Sequence, residues 1–292
     1  MPEGAYRHLP PHLADALRGL SIAARRPMAG GMQGLHRSNR HGASVEFAEY
    51  RPYVPGDPPN LIDWSAYART DKHLIRRFEE ETNLTGWVLL DCSASLAWRG
   101  RGAVAKFDVA CSLAASLLYM LVAQGDRGGL MTFNERIQSR HAPVGSAATL
   151  KPLLQALEDA QPQGKGDIAA SLHLACATLP RRSLVMVVSD FLQQPLTVLA
   201  GIRHLHHAGH DVRVLHVVDR GELSLETTGL VELDDMETGE RLEVDLDEIR
   251  DAYRAAVAAH LEEIRRGCFG MNADYRLVLT DTPIAEALRG MA

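Results

Sequence analysis

With 292 residues, 46% of them hydrophobic and 23% charged, the chain has the composition of an ordinary globular protein, long enough for one large α/β domain or for one domain plus a smaller elaboration. A net charge of −6 gives no footprint of a nucleic-acid binder. No apolar leader opens the sequence, and the most apolar stretch, Val109 to Ala123, is at about fifteen residues too short to span a bilayer, so a cytoplasmic protein without membrane insertion is expected.

The cysteines, Cys92, Cys111, Cys176 and Cys268, show no paired spacing, and Cys111 and Cys176 fall in apolar helical patterns. Free thiols in a reducing compartment follow. Charge is unevenly spread: residues 1–42 hold six Arg and two acids, and residues 221–250 eleven acids and two Arg. These are either two solvated surfaces or a pair of docking faces.

Helical periodicity ends near Arg18, and GGMQGLHRSNRHGASVEF reads as loop. VEFAEYRPYVPGDPPNLIDWSAYART mixes strand-forming residues with four prolines, and Pro55-Gly56 suits the centre of a type II turn. Its aromatics, Phe47, Tyr50, Tyr53, Trp64 and Tyr67, predict the small core of a β-rich appendage rather than a base-stacking surface. Residues 1–83 are therefore expected to form an N-terminal helix, loop and small β-rich elaboration, and residues 84–292 the main α/β domain.

After Phe78 the pattern is regular. GWVLLD is an apolar strand, KFDVACSLAASLLYMLVAQG a helix stopped by Gly125, and DRGGLMTFN and RIQSRHAPV are two further strands. TLKPLLQALEDA is an amphipathic helix, DIAASLHLACATL a buried one, and SLVMVVSD a β-branched run of the kind covered on both faces. PLTVLAGIRHLHHAG is a helix ending at Gly209, DVRVLHVVD a strand, and LVELDDMETGERLEVD a hairpin. A helix, a strand and a helix close the chain. This alternation predicts a doubly wound, mostly parallel sheet.

In such sheets ligands sit at the carboxyl ends of strands, where strand order reverses. Asp91 ends the first strand of this region and Asp190 the fourth, which the order 3-2-1-4-5-6 makes neighbours. Asp91, Ser93 and Ser95 alternate, so they share a face as the chain leaves the strand. Two hydroxyls, with two carboxylates that hold waters, suit a hard divalent cation such as Mg²⁺. Alternatively, the serines merely cap the next helix.

D-x-S-x-S after a buried strand resembles the first segment of the metal-ion-dependent adhesion site of von Willebrand factor type A domains. The resemblance implies a Thr from a second loop and an Asp from a third, and Ser189-Asp190 fits the third segment. Gly166 stands where the Thr is expected, with Asp167 retained beside it. The implied metal residues are thus Asp91, Ser93, Ser95 and Asp190, with Asp167 as a further candidate. Mg²⁺ is expected to bind weakly or not at all to the isolated protein. FAEYRPYVPGDPPNLIDWSAYARTDKHLIRRFEEE is similar to the signature of the domain of unknown function 58 family, as is the tail from ETGERLEVD to LVLTDTPIAEAL. That resemblance implies a von Willebrand A-like fold with an N-terminal elaboration. It also implies a MoxR-type AAA+ ATPase partner and a client protein, in a chaperone or metalloenzyme-assembly system.

Competing motifs are weaker. Gly164-Lys165-Gly166-Asp167-Ile168-Ala169 matches a dinucleotide fingerprint but follows a helix and a Gln-Pro-Gln linker instead of a strand. No Walker A loop and no G-x-S-x-G elbow is present. The enzymatic alternative is a Mg²⁺-dependent phosphohydrolase with Asp91 as nucleophile, although the second acid that such chemistry wants two residues on is Ser93. His204, His206, His207 and His210 read as a helix end, and the acidic hairpin lacks a calcium-loop pattern. A non-enzymatic interaction module is therefore expected. Alanine at Asp91 or Asp190 should weaken partner binding and spare the fold.

Overall fold

The computed structural model describes residues 6–25, 46–54, 57, 62–79, 84–100, 104–225 and 227–291. In chain order the elements are α1 (Pro11–Ala16), β1 (Glu46–Pro52), α2 (Trp64–Thr70), β2 (Leu74–Glu79), β3 (Thr85–Asp91), α3 (Lys106–Ala123), β4 (Arg127–Phe133), β5 (Ile137–Val144) and α4 (Ala147–Asp159). There follow α5 (Ile168–Thr178), β6 (Leu184–Ser189), α6 (Pro195–His207), β7 (Asp211–Val218), α7 (Arg220–Ser224), β8 (Leu230–Asp234), β9 (Arg241–Asp245), α8 (Leu246–Gly270), β10 (Asp274–Leu279) and α9 (Ile284–Leu288).

Six strands form the main sheet in the order β10-β7-β6-β3-β4-β5. Neighbours run parallel except β4 and β5, which are antiparallel. This is the doubly wound, mostly parallel sheet that the alternation predicts. The strand sequences explain why it is covered on both faces. Along β3, Val88 and Leu90 enter one core with α3, whereas Trp87 and Leu89 enter the other with α5, α6 and α8. All four are fully buried, and each aliphatic side chain so placed contributes about 1.5–3 kcal/mol. A strand with no solvent face has no position for a polar residue, so the run is continuous.

Contrary to the expectation that its apolar stretch is too short, α3 runs 18 residues from Lys106 and is, by length and composition, able to cross a membrane; here 72% of it is buried inside the fold. Leu9, Ala14, Leu17 and Ile22 join the same core as α3. The Gln124 side chain secures them by bonding both the amide and the carbonyl of Ile22, each at 2.8 Å.

β1 and β2 form a separate antiparallel pair. The helix α2 between them was not anticipated, because four prolines dominate the surrounding sequence. Its signal is Asp63, whose Oδ1 accepts the Ser65 and Ala66 amides at 2.9 and 3.2 Å as an N-cap. Tyr53, Trp64 and Tyr67 do gather, around His73, with Tyr67 and His73 ring centroids 4.6 Å apart. Trp64 is 59% exposed, however, so these three make a surface cluster instead of the expected core. The side chains of Phe47 and Tyr50, and the Pro55-Gly56 turn, lie outside the described residues. The four cysteines are free; Cys92, Cys111 and Cys268 are buried and Cys176 is half-buried.

Candidate functional site

β3 and β6 are adjacent and parallel, with Leu90 opposite Val188, so their carboxyl ends open on one crevice. Asp91 ends β3 with both oxygens engaged. Oδ1 accepts the Ser93 amide at 2.8 Å, and Oδ2 accepts the Ser189 hydroxyl at 2.6 Å. These bonds fix the carboxylate and turn the following loop, leaving the Ser93 and Ser95 hydroxyls 3.1 Å apart. Ser93 precedes a single 3-10 turn over Ala94–Ala97, but its side chain makes no capping bond. Its hydroxyl serves the crevice instead.

The second loop is tied to the first through its backbone. Gly164, at φ +73°, directs its carbonyl to the Ala94 amide at 2.9 Å, and the Gln163 amide donates to the Cys92 carbonyl at 2.8 Å. A Cβ on Gly166 would stand 3.2 Å from Ser93 Cβ and 3.5 Å from Ser93 Oγ, so this glycine lies directly against the first loop. Asp167 goes elsewhere: it is the N-cap of α5, its Oδ1 accepting the Ala170 amide at 3.0 Å. Asp91, Ser93, Ser95, Gly166 and Asp190 line the crevice together, and Asp167 is not among the lining residues.

Asp190, in the third loop, is 3% exposed and is not free to act alone. The fully buried Lys106 donates its Nζ to Asp190 Oδ2 at 2.8 Å and to Glu222 Oε1 at 2.6 Å. Burial alone would lower the lysine pKa, but the two carboxylates outweigh it and hold the ammonium form. Asp190→Ala would leave that cation short of a partner, so the expectation that it spares the fold is corrected. The loop then passes through Phe191 at φ +46°, whose carbonyl meets His260 Nε2 at 2.9 Å.

Sequence reasoning missed Lys106, Glu222 and Glu237, and it named Ser189 only as part of the third segment, not as the hydroxyl that holds Asp91 Oδ2. A signal existed for Lys106. A cation in the first turn of an apolar helix opposes the helix dipole and needs an acidic partner.

Burial, then the charge of Asp190, push the Asp91 pKa up to about 7, against the bonds from Ser189 and Ser93. Both Asp91 oxygens accept hydrogen bonds, and the second acid that phosphohydrolase chemistry wants two residues on is Ser93. Whether the donors suit a hard cation can be tested on geometry. Ligands about 2.1 Å from Mg²⁺ in an octahedron stand about 3 Å from their neighbours. The Ser93 and Ser95 hydroxyls, hydrogen-bonded to each other at 3.1 Å, are spaced as one such edge. Among the described residues no group of three or more His, Cys, Asp or Glu is placed to hold a metal, so a cation here would rest on hydroxyls and waters. The histidine cluster yields none: His173 stacks on His204 with centroids 4.2 Å apart, and His210 Nδ1 accepts the Ser183 amide at 3.2 Å.

Gly166→Thr supplies the missing hydroxyl. Its Cβ would also meet Glu237 Oε1 at 3.4 Å, so the neighbours must yield by a few tenths of an ångström. We expect Gly166→Thr to gain Mg²⁺ affinity about tenfold or more, worth about 1.4 kcal/mol, in calorimetric titration. A folded variant with unaltered affinity would refute this.

A family model described as "Protein of unknown function DUF58" matches residues 49–263. An uncharacterized protein of Mycobacterium tuberculosis is 29% identical over 288 residues, covering 97% of this chain and 90% of the relative. One from Mycobacterium bovis matches to the same extent. Among solved structures, an aerotolerance-related membrane protein from Bacteroides fragilis is similar at 18% identity and TM-score 0.47, over 70% of this chain and 95% of that one. BatB from Bacteroides thetaiotaomicron is similar at 14% identity and TM-score 0.47, over 72% and 98%.

Proposed function

The chain belongs to the DUF58 family, and on that premise we propose that it is a non-enzymatic protein-interaction module, a cytoplasmic partner of a MoxR-type AAA+ ATPase that serves a client protein in chaperoning or metalloenzyme assembly. The docking site is the crevice at the ends of β3 and β6. The observation that carries this reading is the Ser93 and Ser95 hydroxyl pair, 3.1 Å apart beside a carboxylate held by two bonds. Ser93 and Ser95 would hold Mg²⁺ directly, with Asp91 and Asp190 acting through water. The cation supplies a positive charge to which a partner's carboxylate can bind, so association depends on it.

The test is affinity between the full chain and the ATPase, measured with Mg²⁺ and with EDTA. Ser93→Ala removes one hydroxyl but keeps the Ser93 amide and the Ser189 hydroxyl that hold the Asp91 carboxylate. It is expected to weaken Mg²⁺-dependent binding about tenfold, and EDTA to remove the difference between variant and native chain. Binding indifferent to both would move the interface to the acidic 221–250 face.

A further inference from the structure

The β8–β9 hairpin does something in this crevice that its sequence does not announce. Its tip is a built turn. Asp235 Oδ1 accepts the Glu237 amide at 2.8 Å and the Thr238 amide at 3.2 Å, and Gly239 at φ +73° closes the loop by donating to the Asp235 carbonyl at 2.7 Å. The hairpin is otherwise solvated: Glu232 to Glu240 are exposed, with the exception of Glu237. That side chain turns back onto the sheet. Glu237 lines the crevice with Asp91, Ser93, Ser95, Gly166 and Asp190, and its Oε1 lies 3.4 Å from where a Cβ on Gly166 would stand. A Cβ there would come into van der Waals contact with the Glu237 carboxylate and sit more tightly still against Ser93 Cβ at 3.2 Å.

Resting on the reading of the crevice as a carboxylate-docking site, we propose that Glu237 is the crevice's own carboxylate ligand. The hairpin docks it where a partner's carboxylate would enter, and the partner gains the site by displacing the hairpin. The surroundings suit a reversible latch. The Gly166 amide and the Ser95 hydroxyl face the Glu237 carboxylate, and Asp190 and Asp235 line the same crevice. A carboxylate among like charges, held at the end of an exposed two-stranded arm, is one that a better-placed competitor can replace. The same contact gives Gly166 a second meaning. A threonine there would crowd the latch as well as add a hydroxyl.

The test is hydrogen exchange on the full chain, read at the loop containing Gly166 and at the hairpin, with and without saturating ATPase. Native protein is compared with Glu237→Ala and with Glu237→Gln, which keeps the length of the side chain but not its charge; Glu240→Ala, at an exposed position of the same hairpin, is the control. Glu237→Ala is expected to speed exchange at the Gly166 loop at least fivefold, Glu237→Gln to do so less, and Glu240→Ala not at all. Glu237→Ala is also expected to bind the ATPase at least fivefold more tightly than native protein. Unchanged exchange in Glu237→Ala overturns the latch even if the ATPase binds through Ser93, and the docking-site reading then survives. Faster exchange with equal ATPase affinity overturns the competition. Faster exchange with no ATPase binding by any variant upholds the docked carboxylate and rejects the ATPase as its competitor, which is a failure of the proposed function alone.

Discussion

Lys106→Met is expected to lower the stability of the fold by about 3–5 kcal/mol, the usual loss when one member of a buried charge network is removed. The lysine is fully buried, and its two partners, Asp190 and Glu222, have side chains 3% and 18% exposed. Methionine fills much the same volume, so the loss isolates the two stranded carboxylates from any cavity. Glu222 makes the test specific. Burial already raises its pKa and Lys106 is what opposes this, so without the lysine Glu222 favours its protonated form. Glu222→Gln in the Lys106→Met background should therefore recover part of the loss, leaving Asp190 as the remaining unpaired charge. Urea unfolding of the two variants measures this. A loss below about 1 kcal/mol in Lys106→Met would mean that water reaches the network and solvates it.

Asp91→Asn should separate binding from stability. The amide is isosteric and retains both local bonds, its oxygen accepting the Ser93 amide and its nitrogen donating to Ser189 Oγ in place of the present contacts. The charge is lost where burial and Asp190 already disfavour it, so folding stability should hold or rise. Mg²⁺-dependent binding to the ATPase should fall about tenfold, because Asp91 holds the cation through water. Titration calorimetry and a urea midpoint on the same sample read the two effects. Full affinity in a folded Asp91→Asn would remove the β3 end from the interface.

The sheet was legible because its signal is local. Val88 to Leu90 and Leu184 to Val188 are continuous apolar runs, and two-faced burial admits no other pattern. Gly125 and Gly209, at φ +88° and +89°, mark helix ends that a residue with a side chain would resist. α2 was hidden for an equally local reason: its Asp63 cap lies among prolines that read as turns.

The sequence by itself determined the order of strands and helices, and it placed Asp91, Ser93, Ser95 and Asp190 at strand ends that the winding brings together. Alternation and periodicity encode which face a residue takes, and a short motif such as D-x-S-x-S carries its own geometry. Only the tertiary structure decided what those residues touch. Lys106 reaches Asp190 across 84 positions and Glu222 across 116, and Ser189 reaches Asp91 across 98. Glu237 enters from a hairpin that, by its own residues, is simply acidic and solvated. Such contacts join side chains from elements that no period or spacing relates. Their energy comes from desolvation and charge pairing, which exist only once the sheet has closed around them. The same physics sent Asp167 to the α5 cap, because the nearest unpaired amide was the stronger local claim on its carboxylate.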